Sequence, residues 1–283
     1  MRFNKSIIEI IKERTSRRTY VPKLLDEDLR EHIRDILKVE EVKSPYSEMA
    51  GKCRFKLIAV PEFDPNERKK LGTYGLIKGA QEFIVGAVEK SDYMKEHFGY
   101  LMEYIVLAAT DLGLGTCWLG GFFNRSLFSE KFGIMANEFI PAISPIGYPE
   151  KRRIREVLIR QAVNANHRHP WDRLFYEGDF SKPMSSEIDD NYNTMLKMVQ
   201  LGPSAGNNQP WRIIKAPDKN EFHFFTIKTK GVYKRFQPLD IGIAICHWDL
   251  TSQELGVKGK WEINHPNIPG SEDFDYIISW KEE

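Results

Sequence analysis

Pro203-Ser204-Ala205-Gly206-Asn207-Asn208-Gln209-Pro210-Trp211 and Arg14-Thr15-Ser16-Arg17-Arg18 are the two stretches on which the reading of this chain turns. The first is a small, polar loop after an amphipathic segment, closed by a Pro-Trp step. The second sets three cations and two hydroxyls within five residues, at the end of a helical pattern formed by Ile7, Ile8 and Ile11. A phosphate monoester is nearly dianionic at neutral pH. Guanidinium forks bind its oxygens bidentately, and Ser and Thr hydroxyls fill the remaining lone pairs. The basic stretch also fits a helix end whose arginines complement the C-terminal dipole, and the loop also fits a Gly-Asn turn between helix and strand.

Composition sets the outer bounds. The 283 residues suit one large domain or two modest ones, and 41% apolar with 29% charged residues is ordinary for a globular chain. A formal net charge of +1 gives no electrostatic reason to expect nucleic acid or an anionic membrane surface as partner. No run approaches transmembrane length, and the N-terminus lacks the apolar core of a signal peptide. Cys53, Cys117 and Cys246 are far apart and form no CxxC pair, so neither a disulfide framework nor a zinc site is signalled, and a cytoplasmic protein is expected.

Helix patterns alternate with strands. Leu29, Ile33, Ile36 and Leu37 recur at helical spacing after the acidic start Asp26-Glu27-Asp28. Arg54–Val60 reads as a strand stopped by Pro61, and Ala80–Val88 as another. Tyr100–Leu112 is apolar nearly all round, as in a central buried helix. Ile140–Tyr148 is a short strand interrupted by prolines, expected to be edge-like or irregular. The order helix, loop, strand, helix, strand occurs twice. Leu112-Gly113-Leu114-Gly115-Thr116-Cys117-Trp118 has a counterpart in Leu255-Gly256-Val257-Lys258-Gly259-Lys260-Trp261. The repeats predict two similar halves, 1–166 and 167–283.

The two opening stretches resemble motifs of the FMN-dependent nitroreductase family, in the fused form in which one chain supplies both halves of the usual dimer. The resemblance covers most of the chain and implies an α+β nitroreductase-like fold. It also implies that Arg14, Thr15, Ser16 and Arg18 grip the flavin phosphate, and that Pro203, Ser204, Ala205 and Asn207 contact the flavin. Leu119-Gly120-Gly121-Phe122 matches the segment beside the isoalloxazine ring, with Gly120 and Gly121 allowing close backbone approach. Gly147-Tyr148-Pro149 leads to the basic run Lys151-Arg152-Arg153, of which Lys151 and Arg153 are expected to return to the phosphate. The run also fits a solvated face. Thr73–Ala80 lies where the family places residues near the ring, and Lys78 is the candidate cation for the reduced flavin.

Aligning the halves with Leu37 over Leu196 puts Arg173, Phe175 and Glu177 opposite Arg14, Ser16 and Arg18. A carboxylate there would repel phosphate by roughly 4 kcal/mol at an intermediate dielectric. One composite flavin site is therefore expected, with its mirror image lost, and a monomer becomes possible. The resemblance implies an oxidoreductase in which NADH or NADPH reduces FMN and a small-molecule acceptor (nitroaromatic, quinone or flavin) takes the electrons by a ping-pong hydride transfer. An FMN-binding protein without nicotinamide turnover and a flavin-free relative are the rival readings. No side chain is singled out as catalytic. Gly113-x-Gly115 lacks the third glycine and the preceding strand of a dinucleotide fingerprint. His167, His169 and Asp172 read as a solvated linker rather than a metal site, and Cys117 as core.

Overall fold

A computed structural model describes residues 3–60, 71–73, 75–186 and 190–283. Pro61, expected to stop a strand, and Tyr74 lie outside the described residues. The chain divides into two compact units. The first comprises residues 1–5 and 13–165, the second residues 6–12 and 166–283. Helix α1 (Ile7–Glu13) thus belongs almost wholly to the second unit.

In the first unit α2 (Glu27–Ile36) follows Asp26 as N-cap, with Glu27 and Asp28 in its first turn. Strands β1 (Cys53–Ala59), β2 (Glu82–Glu89), β3 (Gly115–Thr116), β4 (Glu138–Phe139) and β5 (Ile143–Gly147) form an antiparallel sheet in the order β1-β2-β5-β3, with β4 also paired to β2. Helix α3 (Met94–Asp111) is buried from His97 to Ala109, as expected for a helix apolar on every side. β2 is buried from Glu82 to Val88, the pattern of a strand covered on both faces. Helices α4 (Arg125–Phe132) and α5 (Ile154–Ala162) complete the unit.

The second unit holds β6 (Phe175–Glu177), α6 (Asn191–Gln200), β7 (Trp211–Lys215), β8 (Glu221–Ile227), the long α7 (Gln237–Leu255), β9 (Gly259–Glu262) and β10 (Phe274–Glu282). Its sheet runs β6-β7-β8-β10-β9. Within it, β7-β8-β10-β9 reproduces β1-β2-β5-β3 strand for strand, every pair antiparallel. The two halves are therefore similar in topology as well as in motif order.

The likeness extends to single residues. Each long helix is followed by a left-handed glycine, Gly113 at φ 74° and Gly256 at φ 70°, where a side chain would strain the backbone. The indole N–H of Trp118 donates to Glu103 on α3 at 2.8 Å, and that of Trp261 donates to Asp249 on α7 at 2.7 Å. Near the helix ends, Asp111 accepts from the backbone N–H groups of Asn4 and Lys5, while Glu254 accepts from the Ser6 hydroxyl and the Ile7 N–H at the start of α1. A carboxylate at a helix N-terminus satisfies donors that the helix leaves open.

Two expectations are corrected. The proline-containing strand is not an edge: β5 lies inside the sheet, between β2 and β3, and is buried throughout. Pro145 has no N–H to give, and Ser144 compensates. The Ser144 hydroxyl accepts the Cys117 N–H at 3.0 Å and donates to the Pro145 carbonyl at 2.8 Å. Pairing then resumes between Leu119 and Ile143. The alignment of Leu37 over Leu196 also fails, because Leu37 is the C-cap of α2 and its counterpart at the C-cap of α6 is Leu201. Ser16 pairs with Thr116 on β3, whereas Phe175 and Glu177 pair with β7, the counterpart of β1. Arg173, Phe175 and Glu177 are therefore not the equivalents of Arg14, Ser16 and Arg18.

Candidate functional site: an arginine cluster around Thr15

After α1 the chain runs extended along the edge of the first sheet. Arg17 N–H donates to the Thr116 carbonyl at 2.8 Å and Lys78 N–H to the Arg18 carbonyl at 2.8 Å. Tyr20 N–H donates to Lys78 and Val21 N–H to Tyr148, both at 2.9 Å. The basic stretch is thereby fixed between β3, residue 78 and the chain beyond β5. The Tyr20 hydroxyl closes on the Arg17 carbonyl at 2.6 Å. Gly79 makes this approach possible: it sits at φ +85°, and a Cβ there would lie 1.9 Å from the Tyr20 carbonyl oxygen.

The side chains of this stretch form a cationic cluster. Arg14 is 9% exposed, its Nε has no hydrogen-bond partner, and its nearest carboxylate, Glu103, is 3.9 Å away. Burial pulls its guanidinium below the ordinary value, with Glu103 opposing. Two further arginines converge on Thr15, whose hydroxyl accepts from Arg152 and from Arg160, each at 3.2 Å. Arg160 is pulled down by burial and by Arg152, with Arg18 and Arg14 adding and Glu156 opposing. The buried Glu156 takes the Thr19 hydroxyl at 2.7 Å and Arg152 Nε at 3.2 Å. Cys117 borders the same cluster. Burial pushes its thiol up, against Arg18, Arg14 and a hydrogen bond from Ser16. Guanidinium groups crowded in this way, one of them buried with an unfilled donor, suit a multiply charged oxyanion.

The sequence reading missed Arg152 and Arg160 and preferred their neighbours. Lys151 is exposed, and Arg153, at the N-cap of α5, is half exposed with Glu150 at 3.9 Å. Arg152, Glu156 and Arg160 recur at four-residue spacing, which lines one face of a helix. That periodicity was the available signal. Lys78 has an exposed side chain while its backbone is tied to Arg18 and Tyr20. Gly120 and Gly121 follow Leu119 where the chain leaves the sheet. The Gly120 carbonyl accepts from Arg125 at 3.2 Å, and Phe122 beyond them is 57% exposed.

In the second unit the loop from Pro203 to Trp211 is held by bonds of its own. Ser204 is extended, and its hydroxyl accepts the Gln209 N–H at 2.8 Å. Ala205 N–H donates to the buried carboxyl of Asp240 at 2.9 Å. Asn207 Nδ2 donates to the His167 carbonyl at 3.0 Å, and Gln209 Oε1 accepts the His169 N–H at 2.8 Å. Gly206, Asn207 and Gln209 take positive φ values of 62°, 58° and 45°. Residues 167–169, expected to be a solvated linker, instead brace the loop, and Arg168 also donates to the Leu201 carbonyl at 3.1 Å. Among the described residues no group of three or more His, Cys, Asp or Glu is placed to hold a metal ion. Nor is any helix among them long and apolar enough to cross a membrane.

The chain is similar to several known proteins. A crystal structure described as a putative nitroreductase from Thermotoga maritima matches over 99% of this chain and 94% of its own, at 20% identity and a TM-score of 0.61. An FMN-dependent nitroreductase from Clostridium difficile R20291 aligns with 52% of this chain and 89% of its own, at 22% identity and a TM-score of 0.40. A putative nitroreductase in complex with FMN from Desulfovibrio desulfuricans aligns with 54% of this chain and 95% of its own, at 21% identity and a TM-score of 0.40. No curated protein matches the sequence. The family model described as "Putative TM nitroreductase" matches residues 6–252. The chain belongs to that nitroreductase family and is an oxidoreductase.

Proposed function

We propose that this chain is an FMN-dependent oxidoreductase that takes electrons from NADH or NADPH and passes them to a small nitroaromatic, quinone or flavin acceptor. The observation that carries the cofactor assignment is Arg14: a guanidinium 9% exposed, its Nε without a hydrogen-bond partner. The ion pair with Glu103 is long at 3.9 Å and leaves Nε without a hydrogen bond, and an unsatisfied buried donor costs about 1–3 kcal/mol. A phosphate would remove that cost, and Thr15, Ser16, Arg18, Arg152 and Arg160 surround the same place. When bound, FMN supplies the hydride chemistry. Arg14 and Arg18 neutralise the phosphate, and Thr15 together with Glu156 orients Arg152. The Pro203–Trp211 loop is preset by its own hydrogen bonds, and Pro203, Ser204, Ala205 and Asn207 are its candidate flavin contacts.

The test is the visible spectrum of the purified protein, with released FMN quantified per chain and bleaching by NADH or NADPH followed anaerobically. About one FMN per chain that bleaches with either nucleotide supports the reading. Bound flavin that neither nucleotide bleaches leaves a flavin-binding protein without nicotinamide turnover. No flavin retained in excess FMN overturns the assignment.

A further inference from the structure

The loop after α2 in the first unit and the loop after α6 in the second are each tied to the start of a long helix. In the first unit the Ser44 hydroxyl meets His97 Nδ1 at 2.7 Å, and both side chains are buried. In the second, Ala205 N–H meets Asp240 Oδ1 at 2.9 Å, again with a buried partner. His97 and Asp240 are each the fourth residue of their long helix, counted from Met94 and Gln237.

The chemistry of each anchor fits its loop. Burial pushes His97 down to about 4, so at neutral pH its ring is uncharged and Nδ1 can accept from the Ser44 hydroxyl, which in turn accepts the Tyr46 N–H at 3.1 Å. Ala205 has no hydroxyl to offer. It presents only an N–H, and Asp240 Oδ1 supplies the oxygen acceptor. Asp240 stands in the first turn of α7, where the helix dipole favours an acidic group. Burial nevertheless pushes its carboxyl well above the ordinary range, with only the Ala205 hydrogen bond opposing. A buried acid held in so unfavourable a setting by one loop N–H has a geometric task.

We propose that Asp240 is the positioning residue of the Pro203–Trp211 loop: by accepting the Ala205 N–H it fixes the backbone that presents the loop to FMN, as His97 does for the Ser44 loop of the first unit. This rests on the reading of the loop as a flavin contact. With Ser204 Oγ committed to Gln209 and Asn207 Nδ2 to His167, the Asp240 contact sets the entry of the loop and the other two set its exit.

The experiment compares wild type, Asp240→Asn, Asp240→Leu and Ala205→Pro by FMN titration, by the fine structure of the bound-flavin spectrum and by hydrogen exchange at the loop amides. Asp240→Asn keeps an oxygen acceptor of the same size and should retain wild-type FMN affinity and spectrum. Asp240→Leu should raise the FMN Kd by about tenfold or more, the scale of one buried donor left without its acceptor. It should also speed exchange at Ala205 N–H by at least about tenfold and blur the flavin spectrum. Ala205→Pro removes the donor from the opposite side without touching α7. Its preceding residue is already extended, as proline requires, so it decides the matter if Asp240→Leu does not fold. Wild-type affinity and spectrum in both disrupting variants would overturn the proposal. The exchange readout needs no flavin, so failure of the anchor is distinguishable from failure of the FMN assignment, which would show as wild-type protein binding no FMN.

Discussion

Arg152 donates to the Thr15 hydroxyl at 3.2 Å across 137 residues of sequence. This contact separates the arginine that belongs to the basic cluster from the two cations beside it, and the first prediction follows. Arg152→Ala and Arg18→Ala should each weaken FMN binding by about tenfold or more, as expected for loss of one charge-assisted contact. Lys151→Ala and Arg153→Ala should stay within about twofold of wild type. Titration of flavin fluorescence at fixed ionic strength measures all four. Equal losses from Arg152→Ala and Lys151→Ala would remove the structural distinction.

Gly79→Ala should be severely destabilising. A Cβ would stand 1.9 Å from the Tyr20 carbonyl oxygen, at a φ of +85° that L side chains avoid. The backbone must shift or the Tyr20–Lys78 pairing must open, and the expected cost is above about 3 kcal/mol. Denaturant unfolding gives the value, and flavin retention should fall with it because Arg18 shares that pairing. A loss below about 1 kcal/mol would contradict the geometry.

Ser144→Ala should cost about 1–3 kcal/mol, since it leaves the Cys117 N–H without its acceptor in a buried strand. Ser144→Thr, which restores the hydroxyl, should recover part of that loss. Equilibrium unfolding of the two variants checks both statements.

Stability should fall between neutral and acid pH on account of His97. Burial takes its pKa from the ordinary 6.5 to about 4. A histidine depressed in the folded state binds fewer protons there than in the unfolded chain. Its contribution is present above 6.5 and is lost as pH falls through about 4. The full effect is about 3 kcal/mol. His97→Gln should flatten the stability profile over that window. An unchanged slope in the variant would assign the acid loss to other groups.

The expectations from sequence divide along a physical line. Local regularities were legible. The apolar run Tyr100–Leu112 can only be a buried helix, and the glycines at 113 and 256 end two such helices in the same way. The repeated order of elements became two sheets of matching topology, because hydrophobic period and turn chemistry act over neighbouring residues. The basic stretch Arg14–Arg18 and the loop Pro203–Trp211 were legible too, since each concentrates unusual chemistry in consecutive positions.

What closes those stretches was decided only in three dimensions. Arg152 rather than Lys151 or Arg153 reaches Thr15 because the chain entering α5 puts Arg152 beside Glu156, and α5 turns the face bearing Glu156 and Arg160 toward the cluster. Pro145 is tolerated inside a sheet because a neighbouring hydroxyl reroutes one hydrogen bond. Asp240 carries no motif, and only the packing of α7 against the loop sets its carboxyl 2.9 Å from Ala205 N–H. The sequence by itself determined the elements and the charged segments, because these depend on spacing along the chain. The tertiary structure decided which distant side chains satisfy one another's donors and acceptors. Those bonds form between residues whose separation in sequence carries no information about their separation in space.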